Sequence, residues 1–386
     1  MENPKWKTPA SNAGEEFEMI AKTFQGLETV LATELIDLGA NNIQIGRRMV
    51  SFTGNKELLY RANFQLRTAI RILMPIKHFR ATSADEVYEA VQQIDWTNYL
   101  TNETTFAVDS VVFSQEFRHS KFVAYKVKDA IVDQMRERTG ERPNIRVTNP
   151  DLQLHIHIAE YECTLSLDTS GESLHRRGYR QETVEAPLNE VLAAGIIMLT
   201  GWKGECDLID PMCGSGTILI EAAQKALKIA PGINRYFSCE KWICVPEGVF
   251  ERERELAKSR ENLDCTFRAE GYDIDPEALK TAEQNAKIAG VGDRISFSLR
   301  DIKDYVQPEG YSTLITNPPY GERLLDITEA EKLYKIMGEK FVREKGKSYT
   351  IITPDDDFEK IFGRKADKRR KTYNGTLKCQ IYMYFK

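Results

Sequence analysis

Apolar positions along the chain switch between two periods, and the switches divide it into units. Residues 17–23 alternate weakly, as a strand would. Leu27, Val30, Leu31, Leu35 and Leu38 then recur at helical spacing until Gly39 stops the helix. Residues 49–52 predict another strand, and Leu58, Leu59 and Ala62 mark a second helix. From residue 72 to 167 the pattern predicts strands at 105–113, 144–147 and 152–158. A helix fits 121–135, with Phe122, Tyr125, Val127, Ile131 and Met135 as its candidate core. His155 and His157 alternate on one strand and so share a face; with no third ligand in view, they read as an exposed strand face rather than a metal pair.

Residues 168–188 break the periodicity. This polar stretch contains Gly171, Gly178 and Pro187, together with Arg176, Arg177 and Arg180 as candidate RNA-binding cations. Beyond it, strands and helices alternate, the signature of a mostly parallel α/β sheet. A helix covers 189–199. Strands are expected at 207–210, 271–274, 295–299, 313–316 and 349–353, with helices at 216–227, 276–289 and 329–342 between them. Asn374-Gly375 is a hairpin signal joining 371–373 to 377–385. The expected plan is a flexible tail (1–16), two small α/β units (17–71 and 72–167), a linker (168–188) and a larger α/β domain (189–386).

Composition narrows the class. A hydrophobic fraction of 41% over 386 residues supports several cores. No apolar run approaches the roughly 20 residues that a membrane helix needs, and residues 1–16 hold no signal-peptide apolar region. The seven cysteines are odd in number, scattered and without a CxxC pair, which supports neither a disulfide framework nor a zinc site. A reduced cytoplasm is expected. The net charge of -5 means that any nucleic acid would be met by local basic patches. One such patch runs from Lys360 to Lys378. A milder one runs from Arg118 to Arg146 and includes Lys121, Lys126 and Lys128. Each patch taken alone reads as a solvated face.

The candidate chemistry begins at CDLIDPMCGSGTILIEAA, an apolar strand, a glycine-rich turn and a helix in succession. Gly214 and Gly216 allow a tight turn and close approach of a ligand. The following helix, from Thr217, offers unpaired N–H groups at its start. The turn lacks the Lys-Ser/Thr ending of a phosphate-binding loop and differs from the dinucleotide fingerprint. What sharpens it is order. Asp210 and Pro211 end the first strand, and Cys213 lies in the turn. Asp273 ends the second strand, where a carboxylate can accept ribose hydroxyls. Ile274 can cover one face of an adenine. Asp301, followed by Ile302, comes after the third strand, in reach of an adenine amine. Each aspartate alone reads as capping or turn chemistry, and the ordered set is what argues for a nucleoside ligand. Asp275 and Pro276 read as the cap and first residue of the next helix. Residues 222–268 are longer than one helix requires and look like an insertion beside this site, whose Arg235, Tyr236 and Trp242 could touch cofactor or substrate or simply pack, with packing the favoured reading.

The second motif, ITNPPYGERL, follows the fourth strand. Pro318 and Pro319 remove two successive backbone donors. What remains is rich in acceptors, namely the Asn317 side-chain carbonyl and the Pro318 main-chain carbonyl. Such a pocket suits an exocyclic NH₂, which offers two donors, and Tyr320 can stack on the base that carries it. Cys213 lies in the cofactor turn rather than opposite the base, which argues against a thiolate adduct.

Together DPMCGSGT, GYDIDPEA and NPPYGERL resemble class I RNA methyltransferases of the amino-methylating kind. HSKFVAYKVKDAIVDQ resembles the THUMP RNA-binding domain, and GLETVLATELIDLGA the ferredoxin-like segment that precedes it. The chain from about Phe17 onward is most similar to RlmL-type 23S rRNA guanine-N2 methyltransferases. The resemblance implies a Rossmann-like sheet of seven strands with the last antiparallel, after a ferredoxin-like plus THUMP module. It implies S-adenosylmethionine as cofactor, S-adenosylhomocysteine as product and structured RNA, rRNA or a ribosome assembly intermediate, as partner. No metal is needed, because the sulfonium is already an activated methyl donor. Asp210, Gly214, Gly216, Asp273 and Asp301 match the cofactor positions, and Asn317, Pro318, Pro319 and Tyr320 the catalytic tetrad. One methyltransferase domain is expected here, where some relatives carry a second. The alternatives are a tRNA guanine-N2 methyltransferase, an N6-adenine DNA methylase, and a non-catalytic RNA-binding or assembly protein.

Overall fold

The computed structural model describes residues 16–180, 188–242, 248–320 and 327–385. Two sheets organise them. The first has eight strands: β1 (Phe17–Lys22), β2 (Asn41–Gly46), β3 (Met49–Gly54), β4 (Arg71–Arg80), β5 (Thr105–Phe113), β6 (Asn144–Ile145), β7 (Leu152–Ala159) and β8 (Glu162–Asp168). Their order is β2-β3-β1-β4-β8-β7-β5-β6. The β1–β4 pairing joins the two small units read from the sequence into this one sheet. Helices α1 (Glu28–Asp37), α2 (Lys56–Gln65), α3 (Ala84–Gln92) and α4 (Ser120–Thr139) complete this half. Alternate strand residues such as Met19, Phe52, Ile72, Ile156 and Leu165 share one core with Leu31, Leu35, Val87, Val127 and Ile131 from the helices.

Several expectations change here. Phe122 and Tyr125 are exposed, because α4 buries Val123, Val127, Ala130 and Ile131 instead. The strand expected at 144–147 ends at Ile145, and Val147 is exposed. Strand β4 contains Pro75, and the ladder shifts register between Pro75 and Lys77, a bulge that accommodates the missing donor. His155 and His157 do share a face, but half-buried. Burial, then the charges of Lys22, His157 and Arg71, pushes His155 down to about 3.

The second sheet holds β9 (Asp207–Asp210), β10 (Ala269–Asp273), β11 (Ile295–Leu299), β12 (Ser312–Thr316), β13 (Lys347–Thr353), β14 (Lys368–Asn374) and β15 (Leu377–Tyr384). The order is β11-β10-β9-β12-β13-β15-β14, with β15 antiparallel to both of its neighbours. Gly375, in the left-handed region, makes the expected hairpin turn. Helices α5 (Glu190–Leu199), α6 (Thr217–Ala226), α7 (Val249–Ser259), α8 (Pro276–Ile288), α9 (Ile327–Lys340) and α10 (Phe358–Phe362) belong to this half. Chain order reverses at β9, which pairs with β10 on one side and β12 on the other. In open α/β sheets such a switch point leaves a crevice at the carboxyl ends of the strands.

The halves interlock. Leu27 is buried in the second core, where it packs so closely on Gly195 that a Cβ there would collide with its side chain. In the opposite direction, Phe237, Cys239, Trp242, Phe250 and Ala257 bury themselves in the first core. The Tyr60 and Phe250 rings lie 5.1 Å apart and the Phe64 and Phe237 rings 5.9 Å apart. The 222–268 stretch is therefore shared: these residues pack against the N-terminal half, while Ala222, Leu227, Ile229 and Phe267 stay in the second core; Arg235 and Trp242 are buried and Tyr236 is exposed.

Candidate active site

A cavity of about 770 Å³ opens at the switch point. The positions read from the sequence as cofactor-binding, at the ends of β9, β10 and β11, and the whole 317–320 turn line it together: Asp210, Pro211, Cys213, Gly214 and Thr217; Asp273, Ile274, Asp301 and Ile302; Asn317, Pro318, Pro319 and Tyr320. Gly216 lies behind this wall as the left-handed cap of α6, where a Cβ would press on Ala282 at 3.1 Å. Gly214 also has positive φ, and nothing stands within 4 Å of where its Cβ would be.

The aspartates are held differently. Asp273 accepts from Gly214 N–H at 2.8 Å through Oδ2 and from Asp275 N–H at 3.0 Å through Oδ1. Its carboxylate is thereby oriented, with one acceptor site on each oxygen still open. Asp301 caps a short turn by accepting from Lys303 N–H at 2.9 Å. Asp275 caps α8 and Pro276 opens it, as expected. Ile274 is 71% exposed, an apolar side chain presented to the cavity. Asp210 is buried; it accepts from the Thr316 hydroxyl at 2.8 Å and from Met212 N–H at 3.2 Å. Burial pushes it up to about 7; these two bonds counter the rise and the nearby Asp273 charge adds to it.

The Asn317 Oδ1 atom is buried and has no hydrogen-bond partner among the described residues. An unpaired buried acceptor costs about 1–3 kcal/mol, a cost that a donor arriving with a ligand would remove. At the far end of the turn, the Tyr320 hydroxyl accepts from Asn374 Nδ2 at 2.9 Å.

Two candidates have other duties. The Cys213 thiol is turned into the core, near where a Gly271 Cβ would lie, and burial drives its pKa upward, so the residue meets the cavity without a nucleophile. Arg177 is buried: its guanidinium meets Glu221 and donates to the carbonyls of Leu174 and Arg67. That leaves it no face for RNA. Arg180 pairs with Glu190 at 2.9 Å and donates to the Thr217 hydroxyl at 2.8 Å, which places it behind the cofactor turn. Arg176 is exposed, with Glu172 at 3.0 Å. On α4, Lys121 is exposed, Lys126 pairs with Asp85 at 2.6 Å and Lys128 with Asp129 at 2.8 Å. Sequence reasoning missed Arg67, Glu221 and Asn374, whose partners lie more than 40 residues away in the chain. The C-terminal basic run is also divided. Arg364 packs over the Tyr384 ring at 4.8 Å, and Arg369 pairs with Glu359 at 3.4 Å.

Among the described residues, no group of three His, Cys, Asp or Glu is arranged to hold a metal, and no helix is long and apolar enough to cross a membrane.

A seven-stranded sheet of this order, with a glycine turn after its first strand and an Asn-Pro-Pro-Tyr turn after its fourth, defines a Rossmann-like class I methyltransferase domain. Residues 177–383 match the family described as RMKL-like, methyltransferase domain. Residues 81–168 match the THUMP domain and residues 18–73 the RlmL ferredoxin-like domain. The chain belongs to the RMKL-like methyltransferase family. It is 41% identical over 373 residues to the ribosomal RNA large subunit methyltransferase K/L of Syntrophotalea carbinolica, an alignment covering 92% of this chain and 52% of that protein. The chain thus spans about half the length of such relatives. The crystal structure of SMU.472 complexed with SAH superposes with a TM-score of 0.87 at 35% identity, covering 96% of this chain and 98% of that one. A Listeria monocytogenes protein described as "a predicted N6-adenine-specific DNA methylase" does so with a TM-score of 0.87 at 34% identity, covering 96% of each chain.

Proposed function

We propose that this chain is an S-adenosylmethionine-dependent RNA methyltransferase that modifies the exocyclic N2 amine of a guanosine in 23S rRNA. The observation that carries the reading is the buried, unpartnered Asn317 Oδ1 in the cavity that also holds Asp210, Asp273 and Asp301. S-adenosylmethionine supplies an electrophilic methyl carbon and leaves as S-adenosylhomocysteine. The donor set fits it: Asp273 would hold the ribose hydroxyls, Asp301 the adenine amine and Ile274 one adenine face, while the Asp210 carboxylate would offset the cationic portion. Asn317 Oδ1 and the Pro318 carbonyl would accept the two hydrogens of the target amine. Fixing both hydrogens aims the nitrogen lone pair and converts an encounter into an oriented attack. Tyr320 would stack on the flipped base. The amine attacks as a neutral nucleophile and loses its proton during or after transfer.

RNA is the favoured substrate because the chain carries a THUMP match. Its long α4 also presents Lys121, Lys126 and Lys128 beside the exposed rings of Phe122 and Tyr125, with the Lys128 ammonium 5.5 Å from the Tyr125 centroid. rRNA is favoured by the Syntrophotalea relative, which is named as a methyltransferase of large-subunit ribosomal RNA. The test is labelled-methyl transfer to a 23S rRNA transcript, bulk tRNA and duplex DNA, followed by nucleoside analysis. N2-methylguanosine from the 23S transcript is expected. N6-methyladenosine, or label only in tRNA or DNA, would overturn the assignment.

A further inference from the structure

The cavity around Asn317 is smaller than a cleft of about 1370 Å³ between the two halves. The cleft exceeds the roughly 300–1,000 Å³ that encloses a drug-sized ligand. The loop at residues 147–150, residues 234–238 and the Asn374-Gly375 tip all line it. The two spaces are neighbours. Leu188 borders both, and Asn374, in the cleft, donates to Tyr320 in the cavity.

The cleft is positive. Six arginine and lysine side chains line it against three carboxylates. His175 records the field: burial first, and then Arg176, Arg177, Arg180 and Arg235, push it down to about 4. Arg71, Arg176, Arg177 and Arg180 are paired with Asp168, Glu172, Glu221 and Glu190, so the net positive charge of the cleft comes from Arg235 and Lys241, set against Asp109.

Within this field Tyr236 stands 79% exposed, between Arg235 at 8% and Phe237 at 2%. A lone exposed tyrosine means little, but the backbone beneath this one is fixed. The Arg235 guanidinium donates to the carbonyls of Ser170, Glu172, Ser173 and Arg176 at 2.6–3.3 Å. Gly178 has φ +93°, and a Cβ there would meet the Asn234 carbonyl at 2.8 Å. The Arg254 guanidinium lies 5.5 Å from the Tyr236 centroid. A rigidly mounted aromatic ring in a cationic groove is how unstacked bases are held without sequence readout.

We propose that this cleft receives the single-stranded RNA next to the methylated nucleotide, with one flanking base stacked on Tyr236. The inference rests on the RNA-methyltransferase reading. It extends that reading by naming where the unstacked flank goes once the target base enters the cavity. Stacking on Tyr236 offsets part of the cost of unstacking that flank.

Two measurements on the full chain test it. The first is fluorescence anisotropy of a 12-nucleotide single-stranded RNA with protein saturated in S-adenosylhomocysteine. Tyr236→Ala should raise Kd about 5- to 150-fold, the range produced by losing one base–aromatic stack. Tyr236→Phe should restore it to within about twofold of wild type, and Lys241→Glu should weaken binding and flatten its salt dependence. The second is turnover on the 23S transcript, where Tyr236→Ala should raise KM and leave kcat and cofactor affinity near wild type. An unchanged Kd in Tyr236→Ala, or a Phe variant as impaired as Ala, overturns the inference. Failure of the wild type to methylate the transcript counts against the rRNA assignment instead, and the anisotropy ratio decides the cleft.

Discussion

Arg177 Nε meets Glu221 Oε1 at 3.4 Å, with 2% and 0% of their side chains exposed. Tyr179 donates its hydroxyl to the same oxygen at 3.1 Å, and Arg177 also donates to the Arg67 carbonyl at 2.6 Å. Arg67 in turn donates to the carbonyls of Gln224 and Ile229. A linker arginine thus fastens α6, which begins at the cofactor turn, to the N-terminal half.

Arg177→Met should destabilise the full chain by about 3–5 kcal/mol, because it strands the buried Glu221 carboxylate. Arg177→Lys should recover little, since an ammonium cannot reproduce the guanidinium fork. Denaturant titration of the variants checks this. A variant of normal stability whose only defect is in RNA binding would show that Arg177 faces RNA after all.

Asn317→Ala should lower kcat at least about 100-fold while S-adenosylmethionine affinity stays within about threefold of wild type. The lost acceptor acts mainly on the oriented nucleophile, so turnover suffers more than binding. Single-turnover kinetics with a calorimetric Kd separates the two effects, and near-normal turnover sinks the assignment.

Asp273→Ala should weaken S-adenosylmethionine binding by about 1.5–3 kcal/mol, the scale of hydrogen bonds to a charged group. The Gly214 N–H would lose its partner as well. Calorimetry on the folded variant, verified by circular dichroism, is the measurement, and unchanged affinity contradicts the role.

Asp210 makes stability depend on pH. Its folded value of about 7 lies above the ordinary 3.8. Between those values the folded chain binds more protons than the unfolded one, so its stability falls as pH rises through that window. Asp210→Asn should remove this fall. A cationic ligand favours the ionised carboxylate, so cofactor binding should release protons and tighten with rising pH up to about 7. Calorimetry in buffers of different ionisation enthalpy counts those protons. A count of zero at pH 6 rejects the coupling.

Charge reversal of Lys121, Lys126 and Lys128 together should weaken RNA binding. It should also flatten the slope of log affinity against log salt by about 0.7–0.9 for each phosphate that these lysines neutralise. Affinity measured across a salt series checks it. An unchanged slope would leave α4 as a solvated face, its lysines serving Asp85 and Asp129.

Legibility in the sequence was local. The β9 turn, the Asp275-Pro276 cap, the hairpin at Asn374-Gly375 and the 317–320 turn each carry their geometry within a few residues, and each could be read. Strand β4 could not, because Pro75 looks like a break until a bulge absorbs it. Strand β2 has few buried positions to show a period. Phe122 and Tyr125 keep a helical spacing of their own, beside that of Val123 and Val127, so the buried stripe of α4 cannot be chosen without its neighbours α3 and β5. Arg177 misleads for the opposite reason: charge in a polar stretch reads as solvated unless the carboxylate that buries it is known. The 222–268 stretch was legible as extra chain, but not as packing against the N-terminal core.

That last arrangement bears on synthesis. A chain leaving the ribosome presents residues 17–168 first, yet the core they build includes Phe237, Trp242, Phe250 and Ala257. Until those side chains emerge, the nascent N-terminal half exposes an apolar surface around Tyr60 and Phe64, about 170–190 residues ahead of the segment that covers it. At roughly 5–20 residues per second, that interval lasts on the order of 10 s or more. During it, that surface lacks its native cover and is open to aggregation or to a chaperone.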